Sequence, residues 1–404
     1  MPRERYPGAP IRLDLKKGKD QLIFLDDYAA LYPAEKLDGY TNLICVPTDH
    51  IYDLVNPTMF GLLEDLVPGT EIMNQFIEDF ERLGALDSKS EAFIKYGEWI
   101  FYPKSGDLVH TAGEIWHRLA LVARNSTLIT DSSGKLSWQE VRKILDNVVV
   151  GVAGASVGNN AAHAIVEDLR PKWLKIADQK NYHLTNGNRI RLSYKDLGQN
   201  KAIVTASQIH SLDPFMEIAI YTEGIHEKNI DRFIVGNPEE GEPSCGIIIE
   251  ETDDPEMKIL IRERARAHKV PVVMVTDLGS AVQADVRRFD KYENLSLAPC
   301  GVGDVELYES RNKWRKDLSD REKFYDFAFK LIGHNYNEVP EFKAIVFQEI
   351  PPLFGGIPQL GSTAMAAGGI AGELVARIAL GFKLPERMFI HKWNGKLLVQ
   401  GGIL

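Results

Sequence analysis

Cysteine is scarce: Cys45, Cys245 and Cys300 are the only three in 404 residues. No two of them form a CxxC pair, which argues against a disulfide framework and against a four-cysteine zinc site. Long apolar runs are missing as well. The most apolar late stretch, Leu360 to Gly381, carries Glu373 and Arg377 and is rich in glycine and alanine. A buried helix is expected there, not a membrane span. Positive charge is not in excess, with 47 Lys and Arg against 57 Asp and Glu and a formal net charge of -10. That balance argues against non-specific nucleic-acid binding and against an anionic membrane surface. It leaves room for a basic patch inside one pocket. The first twenty residues are charged and have no apolar core, so no signal peptide is read there. The expected location is cytoplasmic, with neither nucleic acid nor membrane as a partner. The sequence shows no internal repeat and no low-complexity tract.

What is present is an ordinary globular balance, 44% hydrophobic and 26% charged, with enough length for two or three domains. Residues 1–110 have mixed character. Leu43 to Val46 and Trp99 to Tyr102 read as short strands, and Met59 to Leu83 has roughly helical spacing. An α+β domain of unknown role is expected. From Thr111 to Leu145 the pattern is helical. Strands and helices then alternate: strands at 148–152, 174–177, 217–221, 247–249 and 270–275, with helices at 159–169, 201–211 and 256–268 between them. This order predicts an α/β, Rossmann-like domain with a mainly parallel sheet over 111–404. Its nucleotide-binding core spans 146–285. An excursion or lid covers 291–352, with a helix near Lys323 to Ile332, and 353–404 forms a C-terminal return. In such sheets ligands bind beyond the carboxyl ends of the strands.

The first such end is the stretch GVAGASVGNN. Gly151, Gly154 and Ser156 belong to a turn that would bring backbone N–H groups and a helix N-terminus against phosphate. Asp178 follows Gly158 by 20 residues, a spacing that suits a carboxylate on a ribose diol. A tight turn without a ligand is the plain alternative, and the turn alone does not separate NAD from ATP. Downstream residues do. Asn186, Asn188, Arg189 and Lys201 follow in quick succession. Arginine offers phosphate a planar fork of donors and lysine a mobile point charge. Singly each could be a solvated surface residue, but together they could neutralise a triphosphate. Next, an apolar strand leads into Thr252, Asp253 and Asp254. Strand-end oxygens suit magnesium, or a helix N-cap before Pro255, with one aspartate for each role.

The ordered set resembles the ThiF-type adenylyltransferase superfamily, which includes the ubiquitin-activating enzymes and the sulfur-carrier-activating enzymes of thiamin and molybdopterin synthesis. The resemblance covers about Arg124 to Gly381. It rests on the turn from Gly151 to Ser156, on Asp178 followed by Thr185, Asn186 and Arg189, on Gly198 to Lys201, on Glu250 to Asp254, and on Gly361-Ser362 before a small-residue helix. It implies ATP and Mg2+ as cofactors. Asp178 would hold ribose, Arg189 and Lys201 the phosphates with Asn186 near them, and Asp253 the magnesium. It also implies a homodimer in which Arg124 reaches the partner subunit's ATP. Four departures mark a divergent member. Ala153 and Ser156 stand for glycines, Lys180 for an acid, Glu250 for a strand-end aspartate, and the zinc cysteines of many members are lacking.

The implied chemistry is carboxylate activation. A carboxylate on a peptide, a small protein or a small molecule attacks the α-phosphorus, pyrophosphate leaves, and an acyl adenylate passes to a nucleophile. Alignment and charge neutralisation carry that step. Cys300 could take the acyl group as a thioester, or be a small buried hydrophobe. Two rivals share the turn: a nicotinamide- or flavin-dependent oxidoreductase, which gives Arg189, Lys201 and Asp253 no task, and a non-catalytic peptide- or nucleotide-binding module.

Overall fold

A computed structural model describes residues 6, 8–13, 43–45, 98–102, 104, 107–111, 114, 131–171, 173–333, 359–391 and 396–403. The chain divides into two compact units. One comprises 4–127 with 210–215; the other comprises 1–3, 128–209 and 216–404.

In the first unit, β1 (Ile11–Leu13), β2 (Leu43–Cys45), β3 (Glu98–Tyr102) and β4 (Asp107–Thr111) form an antiparallel sheet in the order β1-β3-β4-β2. Two of these are the short strands expected from the sequence. Thr111, read as the start of a helical stretch, instead ends β4. Ile100 and Phe101 are buried, and His210 stacks on the Tyr6 ring at 5.5 Å between centroids. The helices expected over Met59 to Leu83 lie outside the described residues.

The second unit is built on an eight-stranded sheet in the order β12-β11-β10-β9-β8-β5-β6-β7. The strands are β5 (Val149–Ala153), β6 (Trp173–Ala177), β7 (Glu217–Tyr221), β8 (Ile247–Glu250), β9 (Val272–Leu278), β10 (Ala281–Arg287), β11 (Pro385–His391) and β12 (Lys396–Ile403). β9-β8-β5-β6-β7 pair in parallel and β9 to β12 pair antiparallel. The parallel part has the Rossmann order, with the chain reversing direction across the sheet between β5 and β8. β5 reads VVGVA and is buried along its whole length. A continuous apolar run is what a parallel strand covered on both faces requires.

Helices connect the strands. α1 (Trp138–Asp146) starts at a capping box made by Ser137 and Glu140. α2 (Val157–Leu169) follows β5, and α3 (Lys201–Leu212) precedes β7. α4 (Ile230–Val235) and α5 (Pro255–Ala267) flank β8. α6 (Asp304–Arg315) and α7 (Arg321–Ile332) open the stretch expected to be an excursion. Their Leu307, Phe327 and Leu331 share one buried cluster with Ile248 and Ile259. Residues 334–358 lie outside the described set. α8 (Gly361–Ala379) is the expected small-residue helix. A Cβ at its Gly368 would come within 2.6 Å of the Asn160 backbone, so the absence of a side chain lets α8 lie against α2. No helix among the described residues is long and apolar enough to cross a membrane.

Candidate active site

The carboxyl ends of β6, β5, β8 and β9 open into one cavity of about 680 Å³, a size suited to a nucleotide-scale ligand. At its floor, the turn after β5 is fixed by Gly154, whose N–H donates to the Ala177 carbonyl at 2.8 Å. Gly154 has φ of +101°, and a Cβ there would lie 2.6 Å from the Glu251 carbonyl group. Only glycine satisfies both constraints. Ser156 precedes the first turn of α2 without capping it through its side chain. Ala153 and Ser156 thus preserve the turn although they stand where glycines were expected. Gly151 is different. It sits inside β5, where a Cβ would meet the Phe233 ring and the Cys245 sulfur at 2.8–2.9 Å. It is a packing glycine and does not line the cavity.

Asp178, just beyond β6, accepts from the Ala155 N–H at 2.8 Å and from the Lys180 N–H at 2.7 Å. The loop after it folds back on itself. Asn181 bridges Asn200, and the Lys201 N–H donates to the Lys180 carbonyl at 3.0 Å. Tyr182, Ile190 and Val204 pack as a small buried cluster beneath. This fold-back brings three cations, Lys180, Arg189 and Lys201, to the same wall. Asn186 is buried and accepts from the His183 N–H at 2.9 Å, holding the short 3-10 turn that presents Arg189. The Arg189 guanidinium donates to Asn188 Oδ1 at 2.9 Å, and its Nε has no partner among the described residues.

Lys201 is 6% exposed. No ion pair or hydrogen bond of its ammonium occurs among the described residues; Nζ lies 5.9 Å from the centre of the Tyr182 ring. Burial pulls the Lys201 pKa down, opposed by Asp178 and Asp253. A buried cation without a paired anion is a costly arrangement unless a ligand supplies the charge.

From that wall Lys180 reaches the strand-end turn after β8, where its Nζ lies 2.6 Å from Asp253 Oδ2. Desolvation works against the charged form of Asp253, and Lys180 outweighs it, so its carboxyl titrates below the ordinary range. Asp254 accepts from the Glu256 and Met257 N–H groups and caps α5, with Pro255 following. The two aspartates therefore divide the roles as expected for the cap. Among the described residues no group of three or more His, Cys, Asp and Glu forms a metal cage. Asp253 fits magnesium in the one way that ion allows here, as a single carboxylate with phosphate and water completing the shell. Glu250 does not face the cavity. It is fully buried and pairs with Lys258 and, at 2.8 Å, with Arg262, so its replacement of aspartate serves the core.

The structure thus brings together Gly154, Ser156, Asp178, Asn186, Arg189, Lys201 and Asp253. It does not bring Cys300 to them. That residue has φ of +58° and is half-buried, and burial raises its thiol pKa. Arg124 lies outside the described residues. Sequence reasoning missed Lys180 as a site residue, having read it only as a lost acid. It also missed Asp277 and Gln359, which line the far end and whose side chains are 2.8 Å apart.

The family model described as the ThiF family matches residues 135–395. The chain belongs to the ThiF family. Its described ThiF residues hold every cavity residue named above. A curated relative, the uncharacterized protein MT1398 of Mycobacterium tuberculosis (strain CDC 1551 / Oshkosh), is 26% identical over 326 residues. The match takes in 79% of this chain and spans about two fifths, 41%, of the relative's length. Among solved structures, PaaA has a TM-score of 0.49 at 14% identity, over 71% of this chain and 82% of that one. E. coli MccB with MccA-N7isoASN has a TM-score of 0.46 at 13% identity, over 70% and 71%.

Proposed function

We propose that this ThiF-family chain uses ATP to adenylate a carboxylate. The observation that carries the reading is Lys201, a largely buried lysine whose ammonium makes no ion pair or hydrogen bond among the described residues and which lines one cavity with Arg189, Lys180 and Asp178. A triphosphate supplies the missing negative charge, and a ribose diol suits Asp178. In the reaction a substrate carboxylate oxygen bonds to the α-phosphorus. The bond from that phosphorus to the bridging oxygen breaks, pyrophosphate takes the electron pair, and an acyl adenylate remains. Arg189, Lys201 and Lys180 offset the charge that builds on the departing group. Magnesium, held by Asp253 and the phosphates, would add Lewis-acid stabilisation when bound. The acyl group then passes to a nucleophile. Cys300 is given no part in that transfer, because it stands apart from the cavity. The carboxylate-bearing partner is a peptide, small protein or small molecule. The active species is a homodimer in which Arg124 completes the site of the partner subunit.

The oxidoreductase rival does not explain the cations, and the binding-module rival predicts ATP binding without pyrophosphate exchange. A nicotinamide dinucleotide has two phosphates and needs no cluster of three cations beside its ribose acid. The test is exchange of labelled pyrophosphate into ATP in the presence of candidate acids. Wild-type protein returns label to ATP with its substrate. Lys201→Met lowers that rate by about a hundredfold or more, the magnitude typical of losing one transition-state charge contact. Tight binding of a nicotinamide dinucleotide without ATP binding would overturn the reading.

A further inference from the structure

Lys180 stands where the family resemblance places an acid. Its backbone is fixed on both sides. The N–H donates to Asp178 Oδ1 at 2.7 Å, and the carbonyl accepts from the Lys201 N–H at 3.0 Å. From this anchor the side chain donates to Asp253 Oδ2 at 2.6 Å. Lys180 lies just beyond β6 and Asp253 just beyond β8, and the sheet order is β8-β5-β6. The contact therefore crosses the carboxyl end of β5, the strand that runs into the Gly154 turn. Lys180, Asp253 and Gly154 line the same cavity.

The Lys180 and Asp253 side chains are 51% and 79% exposed. An ion pair this open adds little to stability. What it changes is the charge that meets a phosphate chain. An acid at 180 beside Asp253 would give two carboxylates, a donor set that suits magnesium with phosphate and water. A lysine there removes one carboxylate and engages the other. Its ammonium has three donors. With one on Asp253, the others are available to phosphate oxygens against the turn. A cation held between a carboxylate and phosphates is the arrangement magnesium itself makes in nucleotide sites. Ammonium and magnesium repel each other, so on this one carboxylate they compete. The ammonium is tethered beside Asp253, whereas magnesium gives up its bound water reluctantly.

Resting on the adenylation reading above, we propose that Lys180 is a built-in counter-cation for the triphosphate, bridging it to Asp253 in the place of a divalent ion. The chain therefore holds ATP without magnesium. Magnesium reaches Asp253 only by displacing the ammonium toward the phosphates.

The test is calorimetric titration of the full-length protein with ATP, once in EDTA and once in excess magnesium, and the readout is the ratio of the two affinities. Wild-type protein is expected to bind ATP in both buffers with affinities within about threefold of each other. In Lys180→Met, and in Lys180→Asp, which restores the acid, the ratio rises to roughly tenfold or more in favour of magnesium, as for the loss of one charge-assisted contact to phosphate. Both partners are more than half exposed, so neither substitution opens the core. A wild-type ratio of about tenfold or more in favour of magnesium overturns the proposal and leaves adenylation standing. A ratio that stays near the wild-type value in both variants also overturns it, since Lys180 is then an ordinary phosphate contact or a surface ion pair. Wild-type protein that binds ATP in neither buffer removes the adenylation reading itself.

Discussion

At the scale of single residues, the cavity is made of charges whose folded surroundings do not suit them alone. Lys201 is largely buried and its ammonium makes no ion pair among the described residues, and Asp277 Oδ2 is buried without a hydrogen-bond partner among them. Such sites trade stability for function. Asp277 makes the trade measurable. Its carboxyl titrates at about 6 in the folded chain against an ordinary 3.8. Between those values the folded state holds more protons than the unfolded one, so stability falls as pH rises through the window. Above about pH 6 the full cost is present, on the order of 2–3 kcal/mol. Asp277→Asn removes the titration. The variant is expected to melt higher than wild type at pH 7.5, with the difference closing as pH falls toward 4. Paired thermal melts across that range check the sign, and a gap that widens toward acid would contradict it. Gly151 and Glu250 teach the opposite lesson. Each occupies a motif position, yet one packs on Phe233 and the other anchors Arg262 in the core.

At the scale of elements, what matters is how strand ends hand over to helices. β5 hands over through Gly154 to α2, and β8 through Thr252, Asp253 and Asp254 to α5. In the second turn, neighbouring aspartates have separate tasks. Asp254 satisfies two N–H groups of the first helical turn, which is worth about 1 kcal/mol. Asp253 faces the cavity and Lys180. Asp254→Ala is therefore expected to lower stability by roughly that amount in a urea melt, whereas Asp253→Ala leaves the melt nearly unchanged and lowers the rate of pyrophosphate exchange. A reversed pattern would show that the roles are exchanged. The loop from Asp178 to Lys201 is an element in its own right. Its Asn181–Asn200 bridge is what turns a dispersed set of charges into one wall.

At the scale of the whole molecule, the proposal requires two subunits. Arg124 is given a role only toward a partner's ATP, so one intact site can be assembled from two defective chains. Lys201→Met and Arg124→Ala should each be inactive alone. Mixed and allowed to exchange subunits, they should recover about a quarter of the wild-type exchange rate, since random pairing leaves one site in four intact. No recovery in a mixture shown by sedimentation to contain mixed dimers would exclude action across the interface. Of the first unit, 4–127 with 210–215, only Arg124 is given a part in the chemistry.

The sequence by itself determined the succession of strands and helices from β5 to β9, apart from the short helix α4, and the late helix α8, because hydrophobic periodicity and turn residues are local properties of the chain. It also determined which charges were available. It did not announce β11 and β12, nor that the polar residues of β10 are buried. Asp285 pairs with Arg387 and Arg287 with Glu386, so these charges lie inside an antiparallel meander. Only the tertiary structure decided which charges meet. Lys180 and Asp253 are 73 residues apart and touch, and Asp277 joins the cavity because β9 lies two strands from β5. Strand order and loop fold-back set those distances, and neither is written in any short stretch of residues.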